Sequence, residues 1–380
     1  MEITKLEKIF TFDTKNKQIM ITKRIPSVDY FRGFILFLLA AESTGLYSRL
    51  GKIFPESFIL SQFRHAEWQG LHFWDLIQPG FMMIAGSALY FSTYKRIDQG
   101  ATYGQLWPKV LKRSVLLFIF GTGLHCLGRG ELVFELWNVL TQLSFTTIVA
   151  FFLLRFSIPL QLAASLFLLL LAHSLYVFTD IPGFNEPYVR DKNFGSFMDM
   201  VLMGKLSGGH WIAINCIPTA AHTIWGALMG RIIHRSTSPK DLLKTLIGLG
   251  VLGVVVGYGL DMAGIPIIKR TATLSFTVAS AGWISLMMAA FYYNWSHEKP
   301  KISVPDYILS YGKNSIFIYL FFESIGPEWL RGASFTFVGG FLEKISIHGM
   351  VAEAINALVV LYLITRLAVW LDKKKIYFSL

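Results

Sequence analysis

The sequence predicts an all-α fold: a polytopic membrane protein of about ten transmembrane helices, with both termini on the cytoplasmic side. Three observations predict it. Hydrophobic residues make up 53% of the 380 positions and charged residues 16%, whereas an ordinary soluble domain carries about 25% charge. The apolar residues fall in blocks close to the ~20 residues that a helix needs to cross a bilayer. The chain also holds 32 Phe, 10 Trp and 15 Tyr, residue types suited to lipid-facing and headgroup-level positions.

Taken in order, the apolar runs place spans near 30–46, 73–94, 110–127, 136–154, 158–178, 210–231, 243–261, 273–293, 306–324 and 353–371. Ahead of the first, Ser27 and Asp29 can each accept from unpaired backbone N–H groups and so start a helix. Only Arg155, Phe156 and Ser157 separate the fourth and fifth spans, which makes a tight hairpin. The stretch 333–342 is apolar but short and glycine-bearing, and reads as a re-entrant or interfacial piece. The domain reading is a cytoplasmic segment over 1–26, a single transmembrane domain over 27–372 and a cytoplasmic tail over 373–380. Residues before Phe31 are polar and basic, without an apolar core or a small-residue cleavage site, so no cleavable leader is expected.

Charge sets the orientation. With the N-terminus inside, the cytoplasmic segments hold 21 Lys and Arg and the outer segments hold 11, the asymmetry that the positive-inside rule describes. The net charge of +11 then reflects topology and anionic headgroups of the lipid bilayer, and no nucleic-acid partner is expected. Cys126 and Cys216 both lie in apolar segments, with no metal-ligand spacing and no disulfide framework. No metal is expected.

Ionisable groups at membrane depth are costly and mark sites that have a partner or a task. Their densest cluster runs from Arg64 to Asp75. If this entry to the second span is helical, His65, Trp68, His72 and Asp75 lie within roughly 80° of one face. A carboxylate beside a histidine fixes its tautomer and raises its basicity, which equips it for general-base or nucleophilic work. The bland alternative is an interfacial helix start with Trp and His at headgroup depth. Arg32 can pair with Asp29 or contact a cofactor phosphate. Glu42 and Ser43 form a polar pair in the outer half of the first span. The sixth span, with His210, Asn215, Pro218, Thr219 and His222, reads either as a tunnel lining or as an interhelical bonding surface. His125 and His173 read as packing residues. In the ninth span, Lys313 can snorkel to headgroups, while Asn314 and Ser315 suit a buried hydrogen-bonding role.

These residues carry a resemblance over nearly the whole chain. His65-Ala66-Glu67-Trp68-Gln69-Gly70, then Asp75-Leu76, Pro79-Gly80-Phe81 and Gly86, together match the most telling motif of one family. Ser27, Asp29, Arg32 and Gly33, then Pro266-Ile267-Ile268-Lys269 with Thr273 and Ser275, and then Gly312, Asn314, Ser315 and Ile316 support it in the same order. The chain resembles the heparan-α-glucosaminide N-acetyltransferase family of transmembrane acyltransferases, and is similar to its bacterial members. It departs at Gln142, which keeps the glutamine of a Leu-Gln-Arg pattern without the arginine, and at Glu42-Ser43, where the family often has asparagine.

The resemblance implies transfer of an acetyl group from cytoplasmic acetyl-CoA, a co-substrate, to the amine of an amino sugar or glycan acceptor outside a bacterial inner membrane. It implies His65 as the residue tied to acetyl transfer, as acetyl carrier or general base, and the residues themselves add Asp75 and His72, placed to tune it, to the catalytic set. Trp68, Glu42, Ser43 and Lys269 are the candidates for the acceptor, and Arg32, Asn314, Ser315 and Gln142 for the donor. A homodimer is the expected assembly on symmetry grounds alone. Two further readings stay open: a transporter of a sugar or small solute, and an O-acyltransferase of a surface glycan.

Overall fold

The computed structural model describes residues 26–295, 302–324 and 329–378. Apart from Pro26, the expected cytoplasmic segment over 1–26 lies outside the described residues, as do the last two residues of the tail. No strand occurs among the described residues. The helices are α1 (Pro26–Ser43), α2 (Leu46–Ile53), α3 (Phe58–Ser61), α4 (Ile77–Asp98), α5 (Tyr103–Arg129), α6 (Val139–Leu154), α7 (Ile158–Phe178) and α8 (Phe194–Met203). They continue as α9 (Cys216–Arg235), α10 (Pro239–Met262), α11 (Leu274–Trp295), α12 (Asp306–Lys313), α13 (Ser315–Glu323), α14 (Arg331–Lys344) and α15 (Gly349–Lys373).

Five of these, α5, α7, α10, α11 and α15, are each long and apolar enough to cross a membrane. Their outward faces carry Leu111, Val115 and Ile119 on α5, Leu166 and Phe167 on α7, and Val251, Leu252 and Val255 on α10, all exposed. Continuous apolar surface of this kind needs lipid rather than water against it, and the protein is accordingly a membrane protein. The ninth apolar run is not one helix. It breaks at Asn314 into α12 and α13, where the Asn314 side-chain oxygen accepts the Phe378 backbone N–H at 3.2 Å. The piece expected over 333–342 is part of α14, whose 14 residues span about 21 Å at 1.5 Å per residue, too short to cross. Ser334 of α14 donates to Asn356 of α15 at 2.8 Å.

Helix ends follow local chemistry. Asn138 accepts the Leu140 N–H at 2.8 Å and starts α6; Asn193 accepts the Ser196 N–H at 3.1 Å and starts α8. Gly130, at φ 69°, stops α5. Pro79 sits in the first turn of α4, where its missing N–H would be unpaired anyway. At the centre of the bundle α4 crosses α9 with backbones nearly touching. A Cβ on Gly86 would collide with the Thr223 carbonyl, and one on Gly226 with the Met83 carbonyl. Ser87 closes the crossing by donating to the Gly226 carbonyl at 2.7 Å. This crossing is the fixed wall above which the site is built.

Candidate active site

His65, Trp68, His72 and Asp75 do not share a helical face. The residues before Phe73 form a loop, and the first helical turn, Phe73–Leu76, is a 3-10 turn ahead of α4. Asp75 is responsible for that geometry. Its Oδ2 accepts the backbone N–H of Ala66 at 3.1 Å and of His72 at 3.0 Å, which folds the loop back over the turn. The loop then delivers His65 Nδ1 to Asp75 Oδ1 at 2.7 Å. Helical periodicity does not create the pair; loop closure on a buried carboxylate does.

Lys269, from the loop between α10 and α11, completes the cluster. Its Nζ lies 3.2 Å from His65 Nδ1 and 3.6 Å from Asp75 Oδ1. Asp75 is 1% exposed and Lys269 7%, while the His65 side chain keeps 31%. A carboxylate this deep is tolerable only when paired and hydrogen-bonded. Burial pushes the Asp75 carboxyl up, but His65, Lys269 and two backbone N–H groups outweigh it and hold it below the ordinary carboxylate value. Burial, then the Lys269 charge, push His65 below the ordinary histidine value against the opposing pull of Asp75. Burial lowers Lys269 to about 8, with Asp75 resisting.

At neutral pH the cluster is therefore an anionic carboxylate, a neutral imidazole and a mainly cationic amine. Nδ1–H donates to Asp75, so the exposed Nε2 keeps its lone pair. Such an imidazole can take a proton or attack a carbonyl carbon, and the adjacent ammonium can stabilise an oxyanion. Trp211 walls the cluster, with its ring edge-on to His65 at 5.4 Å and under the Lys269 ammonium at 5.4 Å. Arg270 ties the surrounding loops together. It donates to the carbonyls of Ala66 (3.1 Å), Glu67 (3.0 Å) and Gly209 (2.8 Å).

A cavity of about 250 Å³ opens beside His65. His65, Lys269, Trp211, Trp74, Trp137, Gln78, Gln142, Asn138, Tyr319 and Glu323 contribute to its lining. Gln78 donates to the Gln142 side-chain oxygen. Gln142 thus lines the same cavity as His65.

The other expected site residues separate. His72 serves the cluster through its backbone, while its ring Nδ1 turns to the Arg64 carbonyl at 3.0 Å. Trp68 faces away: its Nε1 donates to the Tyr188 carbonyl at 2.7 Å, and Arg190 lies over its ring at 5.5 Å. Ser43 spends its hydroxyl on the Ala40 carbonyl at 2.9 Å, whereas Glu42 next to it is exposed. Arg32 lies 3.6 Å from Asp29. Asn314 is fully buried at the α12–α13 break, with Ser315 opening α13.

His210 is not in a span, because α9 starts only at Cys216. It lies in the preceding loop, where its Nδ1 meets Asp191 Oδ2 at 2.7 Å. Both residues hold left-handed backbones, at φ 59° and 58°. His222 is fully buried, with Nε2 against the Thr277 carbonyl and the Ser280 hydroxyl, a packing role rather than a tunnel lining. The periodicity of the sequence did not single out Trp211, Trp137, Gln78 or Arg270. For Trp211 and Arg270 the only signal was the presence of Trp and charged residues in segments between apolar runs; Gln78 and Trp137 carried none.

Taken together, loop-borne His65, buried Asp75 and Lys269 at the mouth of a cavity in a membrane helix bundle define a centre equipped for general-base or nucleophilic chemistry. No protein-family profile matches the chain. Over 109 residues, 28% of the chain, it is 34% identical to the Homo sapiens protein heparan-alpha-glucosaminide N-acetyltransferase. Over a stretch of the same length it is 31% identical to the Mus musculus protein of that name. The chain spans 15% of the length of these curated relatives. The matches support a distant relationship to these proteins.

Proposed function

We propose that this chain is a multi-pass membrane acyltransferase that moves an acetyl group from acetyl-CoA to the amine of an amino sugar. The observation that carries the reading is His65, whose Nδ1 lies 2.7 Å from the buried Asp75 carboxylate and whose side chain lines a cavity. The partial similarity to proteins named as N-acetyltransferases supports it. In the general-base route the amine nitrogen attacks the thioester carbonyl carbon, its proton passes to His65 Nε2, and the C–S bond breaks. The thiolate leaves as free CoA thiol after taking that proton back. In the carrier route Nε2 attacks the thioester carbon first, the C–S bond breaks and CoA leaves as the thiolate; the amine then attacks the acetyl-imidazolium, the C–N bond to Nε2 breaks, and the amine proton is lost to solvent or to the thiolate. Asp75 stabilises the charged imidazole in both, and Lys269 faces the carbonyl oxygen as it becomes anionic.

The membrane arrangement belongs to the same proposal: ten spans in a bacterial inner membrane, both termini cytoplasmic, His65 on the outer side. Donor phosphates would approach from the cytoplasmic end, where Arg32, Asn314 and Ser315 lie. Thiol release from acetyl-CoA by the purified protein, with and without glucosamine, tests the reading. Turnover should require the amine and fall at least about 10²-fold in His65→Ala. Well-folded wild-type protein that releases no thiol with any amine or hydroxyl acceptor would refute it. Quenching before acceptor is added, followed by intact mass, separates the two routes, since only the carrier route leaves an acetylated protein.

A further inference from the structure

Two walls of the cavity beside His65 come from separate stretches of chain. Trp137 and Asn138 stand on the segment that leads into α6, and Trp211 on the loop that leads into α9. One carboxylate behind the cavity holds both stretches. Asp199 Oδ2 accepts the Trp137 Nε1–H at 2.8 Å, and its Oδ1 accepts the backbone N–H of Ala213, two residues past Trp211, at 3.0 Å. Each oxygen serves a different wall, and Asp199 itself stands outside the lining. It belongs to α8, whose 10 residues span about 15 Å, too short to cross a bilayer. The same helix grips the two stretches at its ends. Met203 Sδ accepts the Leu136 N–H at 3.3 Å, and Lys205 Nζ meets Glu135 Oε1 at 2.8 Å. Ahead of α8, Asp191 meets His210.

A carboxylate is a costly choice for this place. Asp199 is 1% exposed, its hydrogen-bond partners are two neutral N–H groups, and among the described residues no cation is paired with it. A buried charge in that state works against the fold. Burial pushes the Asp199 carboxyl up to about 6, with the Asp191 charge adding to the push and the two N–H bonds resisting it. Above that value the fold carries the ionised form at a loss of stability relative to the protonated one. Stability therefore does not account for an aspartate here, whereas two acceptors aimed at two walls do. The other titratable groups around it are committed or uncharged. Asp191 pairs with His210, and Glu135 with His125, Arg129 and Lys205. The Tyr176 hydroxyl of α7 lies against Gly195, one turn before Asp199, where a Cβ would collide with it. Cys216, which opens α9, is a free thiol.

We propose that Asp199 is a positioning residue that locks the two tryptophan walls of the cavity together from behind and lets them part when it takes up a proton. Protonation turns one of its two acceptors into a donor, so one N–H group loses its partner and one wall is released. Trp211 also borders His65 and the Lys269 ammonium, so the release reaches the imidazole. The inference rests on the cavity beside His65 being the site, and not on the acyl transfer proposed for it.

Fluorine NMR of the purified full-length protein, with 5-fluorotryptophan at its ten tryptophan positions, tests this without any substrate. Trp137→Phe and Trp211→Phe assign the two signals. In the wild type both should shift with pH about one shared midpoint near 6. In Asp199→Asn neither should titrate there, and at least one should be displaced or broadened at neutral pH. That variant should also melt at or above the wild-type temperature at neutral pH, because the buried charge is gone. Separate midpoints for the two signals, or no titration in the wild type, would overturn the inference. So would an Asp199→Asn protein whose two signals stay in place and still titrate, or one that melts below the wild type, since Asp199 would then serve the fold and not the walls. In thiol release from acetyl-CoA, Asp199→Asn should raise the acceptor KM by a larger factor than it lowers kcat; a loss confined to kcat would overturn the assignment to the walls. Coupled signals in a protein that releases no thiol would leave the inference standing and refute the acyl-transfer reading.

Discussion

His65 is useful only in the state that its neighbours impose. Asp75 accepts the hydrogen bond from Nδ1–H and the Lys269 charge disfavours a second proton on the ring. Asp75→Asn keeps the shape but loses the charge, so turnover should drop by about 10²–10⁴, while size-exclusion behaviour stays that of the wild type. It also strands the buried Lys269 charge, at a cost of roughly 3–5 kcal/mol that thermal melting in detergent would read. The pH profile carries a second expectation. His65 is pushed below its ordinary 6.5, so its reactive neutral form persists to lower pH than in a free histidine. Lys269 sheds its charge as pH rises through about 8. The kcat/KM profile should therefore fall on the acid side below 6.5 and on the alkaline side near 8. Lys269→Arg, which stays charged, should move only the alkaline limb upward; an unmoved limb would remove Lys269 from the reaction. His65 and Asp75 were visible in the sequence as residue types in a rare setting. Their geometry was not, because the pair forms through backbone N–H groups of Ala66 and His72 and a lysine about 200 positions away, and no local period encodes that.

The helices were legible where hydrophobicity is one-dimensional. The run expected over 158–178 is α7, Ile158–Phe178, and α10, α11 and α15 lie within a few residues of their expected bounds. Misplacement occurred where apolar residues serve a cavity instead of lipid. Trp211 and Ile212 extended the sixth run backward to His210, yet both belong to the loop before α9, Trp211 as a cavity wall. The ninth run hid its break because Asn314 is one polar residue in an apolar stretch, and its partner is the backbone of Phe378 at the far end of the chain. The α4–α9 crossing yields its own prediction. Gly226→Val forces the helices apart and should destabilise the fold by about 1–3 kcal/mol. Because α4 follows directly from the Asp75 turn, activity should fall with it. A variant with wild-type melting and wild-type turnover would show that the contact is not needed.

Across the whole molecule, the apolar belt on α5, α7 and α10 calls for a bilayer, and the proposed orientation within it has a direct test. In a background with Cys126 and Cys216 replaced by serine, Glu67→Cys should react with a membrane-impermeant maleimide added to intact cells, and Lys374→Cys only after permeabilisation. The reverse pattern would invert the topology and place His65 on the side where acetyl-CoA is made. The fastening of the loops around His65 by Arg270 has a last consequence, for how sequence variants are judged. One guanidinium holds three carbonyls from two separate loops, and a lysine ammonium lacks the fixed fork to reach in those directions. A tolerance map of the chain would then rank position 270 beside position 65, although Arg270 touches no reacting atom. An arginine-to-lysine change there, scored as mild by residue similarity, would be a loss-of-function allele.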